Sequence, residues 1–220
     1  LFDQRTRMIA LCQVSNVLGV ENPVRAVCER AASAGIPVLV DAAQSVSHLP
    51  VNVTELDCDF LAFSAHKLYG PAGIGALYGK KERLDEMEPL LVGGGMVDRV
   101  DDKTAQWAPV PGRFEAGSPN LAGAVGFAAA VDWLADIGMG RVNAHIAALT
   151  QQAVEALMTL PGLQLVPVAG VQRCAIVSFV LEGIHAHDIA QVAGEHGVAL
   201  RAGHHCCQPL MRHLGLSATA

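Results

Sequence analysis

Apolar positions along this chain follow two rhythms. Short apolar runs bounded by Gly, Pro or Asp read as buried strands. They are Met8-Ile9-Ala10-Leu11-Cys12 within residues 7–13, Ile36-Pro37-Val38-Leu39-Val40, Phe60-Leu61-Ala62-Phe63 and Ile74-Gly75-Ala76-Leu77-Tyr78. The last follows its predecessor so closely that the two are expected to pair antiparallel. Between the first two, Asn22-Pro23 predicts a helix start. That helix should run to about Gly35, with Val24, Val27, Cys28 and Ala31 on one face. Residues 80–87 read as a short polar helix, and the polar stretch 98–106 as an exposed loop. Gly93-Gly94-Gly95-Met96 lacks the strand-then-helix context of a dinucleotide fingerprint and reads as a flexible turn.

Residues 121–137 form a long apolar helix pattern in which Ala122, Gly123, Ala124 and Gly126 permit close packing. Gly138-Met139-Gly140 breaks the pattern, which sets an expected boundary between a domain over 1–138 and a smaller one over 139–220. In the second, residues 142–160 read as an amphipathic helix, 163–168 and 174–181 as strands, 187–197 as a helix and 198–201 as a further strand. That mixture makes a small α+β domain after an α/β one.

Composition narrows the classes. Hydrophobic residues are 51% and charged residues 16%, a core-rich balance normal for an α/β enzyme. The net charge is −6 with no basic block, which argues against a nucleic-acid partner. No apolar run reaches the ~18–20 residues that span a bilayer, and no signal-peptide pattern opens the chain. The 6 cysteines show no CxxC pair and read as reduced thiols, so a cytoplasmic protein is expected. Cys12, Cys28, Cys58 and Cys174 sit in apolar contexts as small core residues.

Two strand ends carry candidate chemistry. Ser64-Ala65-His66-Lys67-Leu68-Tyr69-Gly70 follows an apolar strand, and a lysine in apolar surroundings becomes an amine that attacks carbonyls. The plain alternative is a surface lysine. Asp41-Ala42-Ala43-Gln44 ends another strand, where open α/β sheets bind ligands. Pyridoxal phosphate requires an acid to keep its ring nitrogen protonated and a lysine for its aldehyde. Asp41 and Lys67 supply both; a turn cap is the plain alternative for Asp41. Near the end, Gly203-His204-His205-Cys206-Cys207-Gln208-Pro209 forms a turn with accessible thiols. Charged neighbouring histidines and a helix start would favour thiolate. A metal site or a mere pair of loop cysteines are the alternatives there.

These segments, with Cys58-Asp59-Phe60, Arg113-Phe114-Glu115-Ala116-Gly117-Ser118-Pro119-Asn120 and Arg201-Ala202-Gly203-His204-His205-Cys206, resemble the class V aminotransferase-fold proteins. Within them the likeness is to SufS/CsdA-type, group II cysteine desulfurases, and it runs over essentially the whole chain. The resemblance implies a partial fold type I pyridoxal phosphate-dependent transferase. Its parts are a piece of a mixed, mostly parallel, seven-stranded-type sheet with helices on both faces, and a small α+β C-terminal domain. It implies that Lys67 binds the cofactor aldehyde and moves protons, Asp41 holds the ring nitrogen and Gln44 the phenolic oxygen. Ser64 and His66 would hold the phosphate, joined by Ser118 from the second chain of a homodimer. Asn16 and Arg201 would hold the carboxylate of L-cysteine, or of L-selenocysteine in a lyase. Cys206 would take the sulfur as a persulfide and hand it to a SufE-like acceptor protein for iron–sulfur cluster assembly. Cys207 stands where the resemblance expects alanine.

The same Asp41/Lys67 pair serves selenocysteine lyases and other class V enzymes, and an inactive remnant or dimerising module is a further alternative. The chain runs from Leu1 to Ala220, short of the family's upstream ring-stacking residues and of an arginine expected just beyond. It is therefore expected to be a fragment, inactive by itself.

Overall fold

The computed structural model describes residues 2–168 and 173–220. By internal packing the chain forms two compact units. One comprises Leu1–Leu11, Val24–Ser47 and Val51–Asp136; the other comprises Cys12–Pro23, His48–Pro50 and Ile137–Ala220. The second unit thus recruits two short segments from the first quarter of the chain, which sequence order does not reveal.

The first unit is built on a four-stranded sheet in the order β1 (Ile9–Cys12), β2 (Val38–Asp41), β3 (Phe60–Ser64), β4 (Gly75–Gly79). β2 and β3 are parallel, with Leu39 opposite Phe60 and Asp41 opposite Ala62. β3 and β4 are antiparallel, with Ser64 opposite Gly75. The sheet is mixed, as the family resemblance implies, and the antiparallel pairing of β3 with β4 is the one their close spacing predicts. Helix α1 (Val24–Ala32) buries Val24, Cys28 and Ala31, spaced to fall on one stripe, in the same cluster as Val38, Val40 and Leu61. Each fully buried Val or Leu contributes ~1.5–3 kcal/mol. Gly35, at φ +68°, ends the helix by turning Ile36 back so that its N–H reaches the Ala31 carbonyl.

Short helices α2 (Val53–Leu56) and α3 (Lys81–Asp85) flank β3 and follow β4. Asn52 caps α2 through its Oδ1, which accepts from Thr54 N–H at 3.0 Å. The stretch 98–106 is not a loop. It lies in a hairpin of β5 (Val97–Val100) and β6 (Ala105–Trp107), paired antiparallel. The Asp101 side chain makes that turn by accepting from the N–H groups of Lys103 and Thr104. Helix α4 (Leu121–Ile137) brings Phe127 edge-on to Phe63, ring centroids 5.9 Å apart.

The second unit holds α5 (Met139–Leu157), a β7 (Leu163–Leu165) and β8 (Phe179–Leu181) antiparallel pair, α6 (Ala186–Glu195) and α7 (Gln208–Leu214). Its core joins Phe179, Ala186, Ala218 and Ala220, with Leu157, Leu163, Leu165 and Ile189 packed against them. Two strand expectations fail here for a stated reason. Residues 174–181 form a strand only at Phe179–Leu181, because Cys174 N–H donates to the Gly19 carbonyl and leaves the β7 ladder. A Cβ at Gly19 would lie 2.4 Å from the Ile176 carbonyl oxygen, so only glycine fits that approach. Residues 198–201 form no strand. Val198 commits its N–H to the Ala193 carbonyl, finishing α6 through Gly197 at φ +79°. No single helix among the described residues is long and apolar enough to cross a membrane.

Candidate active site

Because β2 and β3 are parallel, their C-terminal ends lie at the same edge of the sheet, and Asp41 and Ser64 close them. Partners in register share a face, so Asp41, Ala62 and Ser64 project from one side. Gly75 sits opposite Ser64; a Cβ on it would fall 2.5 Å from the Phe63 carbonyl oxygen. Asp41 is exposed and its Oδ1 accepts from Ala43 N–H at 2.8 Å, so it shapes its own turn as well as carrying charge. Gln44, in the same turn, is half-buried.

Past Ser64 the chain makes one 3₁₀ turn, Ala65–Lys67. The buried Ala65 anchors it, its carbonyl accepting from Leu68 N–H at 2.8 Å and Gly70 N–H at 2.9 Å. With Ala65 and Leu68 turned inward, His66 and Lys67 face outward. Lys67 is therefore exposed, not sunk in the apolar setting that its flanking strand suggests. Ser118 is exposed too, and it does not cap α4. That role falls to Asn120, whose Oδ1 accepts from Gly123 N–H at 2.9 Å.

In the second unit, Asn16, Arg201 and Cys206 are all exposed. Asn16 and the cysteine loop meet directly: Asn16 Nδ2 donates to the His205 carbonyl at 2.7 Å. His205 and Cys206 both adopt left-handed backbone, φ 51° and 59°. Cys206, with His204, His205, Gln208 and Pro209, lines an open cleft of about 360 Å³. None of the six cysteines forms a disulfide. Burial pushes the Cys28 thiol up to about 11 and also raises Cys58 and Cys174. Those groups suit packing; Cys206 has the solvent access that a sulfur acceptor requires. Among the described residues no group of three or more His, Cys, Asp or Glu could hold a metal ion.

Sequence reasoning did not single out Thr219. It is fully buried, and its Oγ1 lies 2.9 Å from His205 Nε2. No local motif marks it, since the contact closes a loop of irregular chain.

The sequence profile of the family described as Aminotransferase class-V matches residues 1–220. The chain belongs to that family. Among its class V relatives, a "Probable cysteine desulfurase" of Halalkalibacterium halodurans is 47% identical over 99% of this chain and 53% of its own length. The solved structure of the Escherichia coli cysteine desulfurase CsdA matches with a TM-score of 0.92 and 42% identity, covering 99% of this chain and 54% of CsdA. A C-DES mutant with glycine covalently linked to its PLP cofactor matches with a TM-score of 0.80 and 27% identity, over 91% of this chain and 54% of C-DES. The chain thus spans about half the length of the relatives it matches. This class V scaffold and its PLP-bound neighbour support pyridoxal phosphate as the group it holds.

The first unit's donors fit that group. Asp41 closes β2, Ser64 closes the parallel β3 at the same edge, and His66 and Lys67 follow in the 3₁₀ turn. The chemistry each part of the cofactor needs is present: an anion for a pyridinium, an amine for an aldehyde, and neutral or cationic donors for a dianion.

Proposed function

We propose that the chain is part of a pyridoxal phosphate-dependent cysteine desulfurase, which converts L-cysteine to L-alanine and receives the sulfur on Cys206. The exposed thiol of Cys206 on the wall of an open cleft is the observation that carries this reading. The relatives named cysteine desulfurase support it.

When bound, the cofactor supplies a cationic ring that draws electron density from the substrate bonds. Asp41 keeps the ring nitrogen protonated, and Gln44 donates to the phenolic oxygen. Ser64 and His66 hold the phosphate, with Ser118 reaching it from a second copy of the chain. Lys67 would hold the cofactor aldehyde, and its amine would carry protons to and from the substrate Cα. Lys67 is exposed at the end of the 3₁₀ turn, which leaves its amine free to serve both tasks. Arg201 grips the substrate carboxylate through its planar fork, and Asn16 adds an amide donor. The Cys206 thiolate attacks the substrate sulfur. The S–C bond breaks, a new S–S bond forms, and protons at the carbon complete alanine. The net change is cysteine plus thiol giving alanine plus persulfide.

The persulfide then passes to a SufE-like acceptor for iron–sulfur cluster assembly, in the cytoplasm. A homodimer is supported by Leu121 and Val125, 70% and 72% exposed one turn apart on α4.

The test uses the full-length protein. L-cysteine should yield alanine and a persulfide that mass spectrometry places on Cys206, and Cys206→Ala should lose sulfur delivery while keeping the yellow cofactor absorbance. Undiminished delivery by Cys206→Ala would remove Cys206 from its role. Faster turnover of L-selenocysteine, indifferent to Cys206, would reassign the protein as a lyase.

A further inference from the structure

The loop that presents Cys206 is held in a conformation its residues do not favour. His205 and Cys206 are consecutive non-glycine residues at φ 51° and 59°. L-residues enter this region singly and at a cost, so a pair of them persists only where the surroundings over-determine it. Three sets of bonds do so. Gly203 and Thr219 exchange both backbone hydrogen bonds, at 3.0 and 3.1 Å. Asn16 Nδ2 donates to the His205 carbonyl at 2.7 Å, and Cys207 N–H closes the turn onto the His204 carbonyl at 2.8 Å. The third is the His205 ring itself, whose Nε2 lies 2.9 Å from Thr219 Oγ1 and 3.2 Å from the Thr219 carbonyl.

The Thr219 hydroxyl can accept from Nε2–H or donate to an unprotonated Nε2, so it partners the ring in either tautomer. Thr219 is 0% exposed, while His205 is half-buried. The residues around Thr219 are equally fixed: Ala220 exchanges backbone bonds with Phe179 in β8, at 3.0 Å in each direction. The ring is therefore fastened to a segment bridged to Gly203 and, through Ala220, to β8, and the next residue along the chain is Cys206.

We propose that Thr219 is a positioning residue for sulfur acceptance: it latches the His205 ring and thereby sets where the Cys206 sulfur points. Thr219 touches neither substrate nor cofactor in this scheme. The proposal rests on the reading of Cys206 as sulfur acceptor and adds to it the device that aims the thiol.

The test is steady-state desulfuration by the full-length holoenzyme with a sulfur acceptor present. Thr219→Val keeps the shape and removes the hydroxyl; Thr219→Ser keeps the hydroxyl. One neutral hydrogen bond corresponds to roughly a 3–10-fold effect. Thr219→Val should lower kcat by about that factor with KM for L-cysteine within twofold, and Thr219→Ser should stay within twofold on both, by the same hydrogen-bond argument. His205→Phe should match Thr219→Val, and His205→Gln, whose amide reaches a similar position to Nε2, should restore most of the loss. Combining His205→Phe with Thr219→Val should cost no more than either alone, because both remove one latch.

Equal loss in Thr219→Ser and Thr219→Val, additive loss in the double variant, or an unchanged kcat in Thr219→Val would each overturn the latch. If Thr219→Val does not fold, the His205→Phe and His205→Gln pair decides the same question. Cys206→Ala separates the two readings. If it abolishes delivery while Thr219→Val is unchanged, only the latch fails. If it leaves delivery intact, the reading of Cys206 as sulfur acceptor fails first, and the latch with it.

Discussion

Asp59 stands where β3 begins, only 8% exposed, with both carboxylate oxygens in use. Oδ2 accepts from Val38 N–H at 2.8 Å, and Oδ1 accepts from Arg83 Nε at 2.9 Å. Its backbone ties the same three elements, donating to the Val38 carbonyl and accepting from Lys80 N–H. Replacing Asp59 with Ala strands the Val38 N–H inside a residue that is 1% exposed. An orphaned buried donor costs ~1–3 kcal/mol. The Arg83 contact adds little, because its side chain is 36% exposed and such pairs are worth ~0–1 kcal/mol. Asp59→Ala should therefore destabilise by ~2–3 kcal/mol. Asp59→Asn keeps an acceptor for Val38 and should lose only ~1 kcal/mol. Arg83→Met should lose less than ~1 kcal/mol. Equilibrium urea denaturation reads this directly: at a slope of ~1–3 kcal/mol per molar, Asp59→Ala should move the midpoint by about 1 M. A midpoint within ~0.3 M of the parent, or an Arg83→Met loss as large as that of Asp59→Ala, would refute the argument that the stranded N–H dominates.

Three further outcomes follow from positions described above. Gly75→Ala forces a Cβ to 2.5 Å from a carbonyl oxygen in the neighbouring strand and should lose ~1–3 kcal/mol in thermal melts, an unchanged melt refuting the close approach. Lys67→Ala in the full-length protein should lose the absorbance near the visible edge and cut alanine formation by about 10²–10⁴-fold; retained activity would free Lys67 from its role. Cys28, raised from 9.0 to about 11 by burial first and its Cys58 and Asp59 neighbours second, favours the neutral thiol in the folded state. Folding stability is therefore complete below pH 9 and falls as pH rises through 11. A Cys28→Ala variant should show a flatter decline across that window in denaturation at graded pH.

What could be read from the sequence was whatever chain-local physics decides. β2, β3 and β4 announce themselves because each is an apolar run stopped by Gly, Pro or Asp, and Asp41 and Lys67 stand out because they follow those stops. The β5–β6 hairpin was hidden because its strands are polar, and its turn rests on one aspartate side chain rather than on Gly or Pro. The strand read at 198–201 came from a real apolar pattern that the end of α6 overrode, since Val198 spends its N–H on the Ala193 carbonyl after the turn at Gly197. The exposure of Lys67 was hidden for a similar reason: the inward anchor is Ala65, and the turn it makes swings the next two residues outward. The supports of the Cys206 loop could not be read at all. Asn16 and His205 are 189 residues apart, and nothing in either neighbourhood codes for the other.

The adjacency of Cys206 and Cys207 has a redox consequence. Their peptide bond is trans, so their Cα atoms lie ~3.8 Å apart, short of the ~4.4–6.8 Å that an unstrained disulfide spans. An eight-membered ring closed across that one bond would be wound tight and readily reopened by ambient thiols. Under peroxide, the solvent-facing sulfur of Cys206 should instead take up oxygen, passing through sulfenic acid toward the irreversible acids, with its neighbour giving no lasting shelter.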